Sequence, residues 1–235
     1  MTGGPHLSSI AGPRSRDGDA GARIADDIRR GIIDGSRPPG TRVRQEDLAA
    51  RYGASRVPVR EAIRQLEYEG LLTVVPNAGA WVSTMTLAEC EEIYRMRERL
   101  EPLLLSYSAP HLSDEAVTEL AALADRISNT GHDTEAFLAL DATFHHASYA
   151  AADTAHLSDL VLRLWNMTAP YRRSYVASWT SDARRIAHEE HHLIVAALRD
   201  HDTAEAERVL AAHIRRTRRQ LARTPEIFAD RFGPR

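Results

Sequence analysis

The sequence predicts a mainly α chain: an N-terminal winged helix-turn-helix followed by an all-α antiparallel bundle of about six helices. Three observations predict it. Residues 24–70 hold three short helical patterns, each closed by a glycine; residues 71–83 hold two short β-type runs around a turn; and from Thr86 to Thr224 the apolar spacing is helical throughout.

The elements follow in order. "RIADDIRRGIIDG" repeats Ile24, Ile28 and Ile32 and stops at Gly35, the pattern of a helix closed by a C-terminal glycine. After the loop "SRPPG", "QEDLAARYG" reads as a second short helix ending at Gly53. "PVREAIRQLEYEG" reads as a third, with Pro58 in its first turn, where a missing N–H costs nothing, and Gly70 at its end. "LLTVV", "PNAG" and "AWVS" read as strand, turn and strand. Thr86 with Glu89 has capping-box spacing and marks a new helical start. Breaks then fall near Pro110, Gly131, Asp153, Trp179 and Asp202, which separates about six amphipathic helices. The expected organisation is a Gly/Ser/Pro-rich flexible tail over 1–20, a first module over 21–85, a helical module over 86–226 and a short tail over 227–235.

Composition narrows the class. With 235 residues and 43% hydrophobic content the chain can bury a core, and its single cysteine, Cys90, allows no internal disulfide and no cysteine-rich zinc module. No apolar run approaches the roughly 20 residues of a membrane helix, and the N-terminus lacks the compact apolar segment of a signal peptide. A cytoplasmic protein with no membrane partner is expected. All thirty basic residues are arginine. Residues 1–85 hold 12 Arg against 10 acids, whereas residues 86–235 hold 18 against 23, so a basic module precedes an acidic one. That asymmetry points the first module towards phosphate.

Within the first module, Val59, Ile63 and Leu66 recur at helical spacing and face the other two helices, leaving Arg60 and Arg64 outward, with Arg56 just before the helix. Two isolated outward arginines are ordinarily a solvated face. Here they stand on the third helix of a helix-turn-helix pattern, where an arginine at the N-terminal end enters the major groove and pairs with guanine O6 and N7.

The stretch "ASRVPVREAIRQLEYEGLL", residues 54–72, resembles the recognition-helix segment of GntR-type bacterial transcription regulators. The resemblance implies that Arg56 and Arg60 read bases or phosphates of double-stranded DNA and that Gly79, in the wing, approaches the minor groove. It also implies a homodimer on an inverted-repeat operator. Two departures stand out. Val57 replaces the usual threonine before the proline, which leaves Ser55 to cap the helix. Glu46 replaces a basic residue of the second helix, which leaves Arg44 for the phosphate contact.

The helical module poses a different question. Residues 188–192, "HEEHH", match the H-E-x-x-H pattern in which two histidines on one helix face hold zinc and a glutamate activates water. Phase decides against it. The apolar side of that helix carries Ala183, Ala187, Ile194, Val195 and Leu198; His191 points into it, His192 lies about 100° away, and His188 sits towards its edge. The same test places Asp141 and His145 among Phe137, Leu138, Phe144 and Tyr149, and His213 among Ala206, Val209, Leu210, Thr217 and Leu221. One histidine on an apolar face is ordinarily a hydrogen-bonded core residue. Three histidines and an aspartate, inward on three helices, need partners, and a metal ion is the economical one.

The spacing "D-x-x-x-H", then "EH", then "H" resembles the FCD domain, the ligand-binding bundle of the FadR-like branch of these regulators, and the match covers roughly residues 24–224. It implies that Asp141, His145, His191 and His213 hold a divalent ion such as Zn²⁺, Ni²⁺ or Mn²⁺, with open positions for water or a carboxylate effector, a small organic or sugar acid. Imidazole with one carboxylate suits several of these ions. "IYRMRERLEP" resembles the first bundle helix, where by register Arg97 faces the effector; read from the residues alone, Arg97 is equally a surface arginine paired with Glu101 at i+4. Asp153 stands where the family often has asparagine. The expected function is a non-enzymatic, ligand-responsive transcription regulator. The alternatives are a metal-dependent hydrolase using the Asp/His cluster, which leaves the winged helix unexplained, and a DNA-binding structural protein whose bundle only dimerises.

Overall fold

Ile24, Ile28 and Ile32 are completely buried along one face of α1 (Arg16–Ile33). Each contributes about 1.5–3 kcal/mol relative to exposure. The computed structural model describes residues 16–228. The helix begins at Arg16, so the last five residues of the expected tail, 16–20, are helical; residues 1–15 and 229–235 lie outside the described residues.

The stripe of α1 packs on α3 (Arg56–Tyr68), whose Val59, Ala62, Ile63 and Leu66 are buried, and Leu48 of α2 (Gln45–Tyr52) closes the triangle. The turn from α2 to α3 is made by Gly53 in the left-handed conformation (φ 57°). Arg29 of α1 locks the end of α3 by donating to both carboxylate oxygens of Glu69, at 2.8 and 2.6 Å.

The wing has one strand more than the sequence suggested. β2 (Leu72–Val75) and β3 (Gly79–Val82) form the expected antiparallel hairpin, with Leu72 opposite Val82 and Val75 opposite Gly79; β1 (Arg42–Val43), only two residues long, adds to the free edge of β3 in the order β1-β3-β2. Two residues cannot display an alternating pattern, so β1 left no periodic signal.

Thr86 and Glu89 form the expected capping box at the start of α4 (Leu87–Ser108): the Thr86 hydroxyl accepts from the Glu89 amide at 3.3 Å, and the Glu89 carboxylate accepts from the Thr86 amide at 2.7 Å. There follow α5 (Asp114–Ser128), α6 (Thr134–Ser148), α7 (Leu157–Ala177), α8 (Ser181–Arg199) and α9 (Thr203–Leu221), with 3₁₀ turns at Ala109–His111 and Pro225–Ile227. Five of the six start on a Ser, Thr or Asp whose side chain accepts from the first-turn backbone; α7, entered from His156, is the exception. The bundle has its own core, running from Met85 to Leu221, and Phe228 stacks on Tyr171 at 5.0 Å just past the expected end of the helical module. No helix among the described residues is long and apolar enough to cross a membrane.

The first module rests on α7. The Met85 amide donates to the Tyr171 hydroxyl at 2.8 Å. Gly70, at the end of α3, has φ +79°, and a Cβ there would lie 2.7 Å from Cγ of Met167. Glycine is required at this point both by the backbone and by the close approach of α7.

Candidate metal centre and DNA-reading face

α6 and α8 each place a buried polar group where helical phase put it. Asp141, His145, His191 and His213 are all buried, and one ligand atom from each lies within 4.8 Å of every other. Asp141 Oδ1 stands 3.2 Å from His191 Nε2 and 3.8 Å from His145 Nε2. Four ligands bound tetrahedrally at about 2.1 Å from one ion stand roughly 3.4 Å apart, so the set closes on a single divalent ion with side-chain shifts of about an ångström. Neither ring nitrogen of His191 meets hydrogen-bond geometry with a described residue, the 3.2 Å approach of Asp141 included. An orphaned imidazole at the centre of such a set is what a missing ligand partner leaves behind.

The protonation states suit ligation. Burial opposes the charge of Asp141, yet Arg172 and the imidazoles of His145 and His191 outweigh it and hold the carboxyl well below its ordinary value. Burial pushes His145 well below the ordinary imidazole value and lowers His191 and His213 as well. A charged carboxylate and neutral imidazoles are the forms a divalent cation requires.

Around the set lies a polar shell that the sequence reading missed. Glu190 accepts from His213 Nδ1 at 2.9 Å, which leaves Nε2 of that ring for the cluster, and Glu190 is itself held by Arg216. Arg172 of α7 donates to Asp141 Oδ2 at 2.5 Å. Glu101, fully buried, accepts from Arg97 Nε at 2.5 Å, from the Tyr149 hydroxyl at 2.9 Å and from Trp165 Nε1 at 2.9 Å. Arg97 is therefore no surface residue. It is 3% exposed and also donates to the Thr168 hydroxyl at 2.9 Å, although the i+4 pairing with Glu101 is present. Burial opposes its charge and the Glu101 carboxylate more than restores it. The guanidinium groups of Arg97 and Arg172 lie 4.4 and 4.5 Å from the Trp165 ring centroid.

Arg97, Glu101, Trp165, Arg172, His145 and His213 line one cavity of about 20 Å³. That is room for about one water, so a carboxylate ligand enters only if side chains move. Asp153 takes no part; it is exposed in the loop between α6 and α7. His192 is exposed and His188 half-buried, and neither joins the cluster, so the zinc-peptidase register of "HEEHH" is not used.

On the first module, Arg44, Ser55, Arg56, Arg60 and Arg64 are exposed, and none of these arginines forms an ion pair with a described residue. Arg56 is the first residue of α3 rather than the one before it. Ser55 holds the N-cap position, but its side chain makes no cap hydrogen bond. The third helical residue, one of the usual donors to such a cap, is Pro58, which has no N–H. Gly79 has φ +129°, and Arg42 beside it donates to the Ala78 carbonyl at 2.9 Å, bracing the wing tip.

The model of the bacterial regulatory proteins, gntR family, matches residues 20–82, and the FCD domain model matches residues 92–216. A probable D-xylose utilization operon transcriptional repressor of Paenarthrobacter nicotinovorans is 32% identical over 196 residues, 82% of this chain and 84% of that protein. The HTH-type transcriptional repressor GlaR of Escherichia coli is 28% identical over 80% of this chain and 89% of its own length. Among solved structures, E. coli McbR/YncC superposes with a TM-score of 0.75 at 23% identity, over 87% of this chain and 98% of that one, and so shares the fold. The chain belongs to the GntR family of bacterial regulatory proteins and is a DNA-binding transcriptional regulator with a C-terminal FCD domain.

Proposed function

We propose that operator binding by residues 21–85 is controlled by a small carboxylate effector that binds beside a divalent ion held by residues 86–226. The observation that carries the reading is the buried Asp141, His145, His191 and His213 set, two members of which, His145 and His213, line one cavity with the guanidinium groups of Arg97 and Arg172. When bound, the ion supplies open coordination positions for an anionic oxygen. The protein's own residues do the rest. Asp141 and the three imidazoles hold the ion, Glu190 fixes the tautomer and aim of His213, Glu101 orients Arg97, and the guanidinium groups discriminate for a carboxylate over a neutral ligand.

On the DNA side, Arg56, Arg60 and Arg64 read the major groove with Arg44 and Ser55 on phosphate, while Gly79 lets the wing approach the minor groove. The active form is a cytoplasmic homodimer on an inverted repeat, since two recognition helices related by a twofold axis read two half-sites. No catalytic role is assigned. The relatives are named as transcriptional regulators, and the glutamate of the H-E-x-x-H register, Glu189, is spent on Arg185 at 2.7 Å.

The test combines metal analysis of the purified chain with a thermal-shift screen of organic and sugar acids in the presence of metal. A ligand at 100 times its Kd adds about 2.7 kcal/mol to the native state. Protein that binds no divalent ion, or is stabilised equally by an acid and by its amide, would sink the reading.

A further inference from the structure

We propose a second anion site, for a small oxyanion, in the surface cleft between the α5–α6 turn and the first turns of α8. Its centre is Arg184. This residue is 8% exposed, its Nε and Nη1 atoms are wholly buried without a hydrogen-bond partner, and no described carboxylate lies within ion-pair reach of it. A buried guanidinium without a counter-charge is strongly unfavourable, so the fold retains it where something else supplies the charge. Phe137 and Trp179, with ring centroids 6.0 and 5.7 Å from the guanidinium carbon, offer π faces. They lie against the guanidinium but leave its Nε and Nη1 groups unsatisfied.

A second orphan lies one turn further along. His188 Nε2 is buried without a partner, and its ring centroid is 6.0 Å from that of Phe137. Arg184 and His188 line a cleft of about 400 Å³ together with Ser128, His132, Ser181 and His192. The carboxylates at the cleft are each paired with another cation than Arg184: Glu189, which lines the cleft, and Asp182 face Arg185 at 2.7 and 3.6 Å, and Asp125 faces His192 at 3.9 Å. The start of α8, capped by Thr180 on the Ala183 amide, adds the positive end of a 19-residue helix. No residue of this cleft lines the cavity holding Arg97 and Arg172, so the two sites are separate. An oxyanion here orders the turn of α8 that leads, three residues on, into His191.

The experiment uses the full chain, freed of metal by chelation, with inorganic phosphate and acetate as probes against chloride at matched ionic strength. Phosphate or acetate is expected to raise Tm above the chloride control. By calorimetry its Kd is expected to weaken roughly ten- to hundred-fold in Arg184→Gln, the loss of a charge-assisted hydrogen bond pair, and to stay unchanged in Arg172→Gln. No rise over chloride, an undiminished affinity in Arg184→Gln, or a loss in Arg172→Gln alone, which would place the anion in the inner cavity, overturns the proposal. Metal binding by Arg184→Gln is measured alongside, so that failure here is distinct from failure of the metal reading. Should Arg184→Gln not fold, wild-type crystals grown in phosphate decide: the ion on the Arg184 guanidinium supports the site, and its absence there overturns it.

Discussion

Arg172 of α7 donates to Asp141 of α6 across 2.5 Å, so the one carboxylate of the proposed metal-ligand set is shared with a guanidinium from a fourth helix. A cation approaching Asp141 meets that positive charge. At an effective dielectric of about 20, relieving such a repulsion is worth on the order of 1 kcal/mol or more, about ten-fold in Kd. Arg172→Gln is therefore expected to bind divalent metal more tightly and carboxylate effectors more weakly, read by competition with a chromophoric chelator and by effector calorimetry. Weaker metal binding in this variant would instead make Arg172 a support that orients Asp141.

Glu190 acts through His213. Holding Nδ1 of that ring at 2.9 Å directs Nε2 inward, and outer carboxylates of this kind are typically worth 10- to 100-fold in metal affinity. Glu190→Gln is expected to lose about that much with the metal stoichiometry kept at saturation. Alanine at His145, His191 or His213 is expected to lower bound metal and Tm, while His188→Ala and His192→Ala change the stoichiometry little. Metal content by elemental analysis checks the five histidine variants, and competition with a chromophoric chelator checks the affinity of Glu190→Gln. Loss of the metal in the two outer variants, with His191→Ala unaffected, would restore the zinc-peptidase register.

Helical phase carried most of what could be read from the sequence. It set three histidines and an aspartate on inward faces before any distance was known, and the glycines and capping residues delimited nearly every helix. Helical phase in α7 aligns Arg172 with Trp165, Thr168 and Val176 on the buried side, so its inward position is legible in the sequence. Glu190 likewise shares its face with Ile194 and Ala197. What phase could not give is the partner across helices. Glu101 and Trp165 are 64 residues apart in sequence, Arg172 and Asp141 are 31, and no periodicity within one helix encodes such contacts. The burial of Arg97 was hidden for a related reason: an i+4 carboxylate pairs with an arginine equally well on a surface or in a core.

Arg60 faces outward from α3 without an ion pair among the described residues. Arg60→Ala is expected to weaken specific operator binding by about 1–3 kcal/mol if the side chain makes a bidentate base contact, with thermal stability unchanged. Arg44→Ala, at the proposed phosphate contact, should instead weaken binding to all sequences and reduce the salt slope. Fluorescence anisotropy with operator and scrambled duplexes at several salt concentrations separates the two. An Arg60→Ala protein with unaltered operator affinity would remove this residue from the reading set.

α7 carries Arg172 and Trp165 on the cavity lined by His145 and His213 and, on another face, Met167 against Gly70 at the end of α3. If an effector draws Arg172 away from Asp141, α7 is the element through which the recognition helix feels it. The effector must then prefer one arrangement of the two modules, and a coupling of 1–3 kcal/mol, typical of such systems, changes operator affinity roughly 5- to 150-fold. Linkage makes the effect reciprocal, so saturating operator is expected to shift effector affinity by the same factor, measured by titrating effector with and without operator duplex. Met167→Ala leaves both binding sites intact while removing the close contact between α7 and Gly70. It is expected to reduce the coupling while each separate affinity stays close to wild type. Undiminished coupling in Met167→Ala would move the route away from this contact, and equal effector affinities with and without operator in the wild-type protein would mean that the bundle does not control the DNA-binding module.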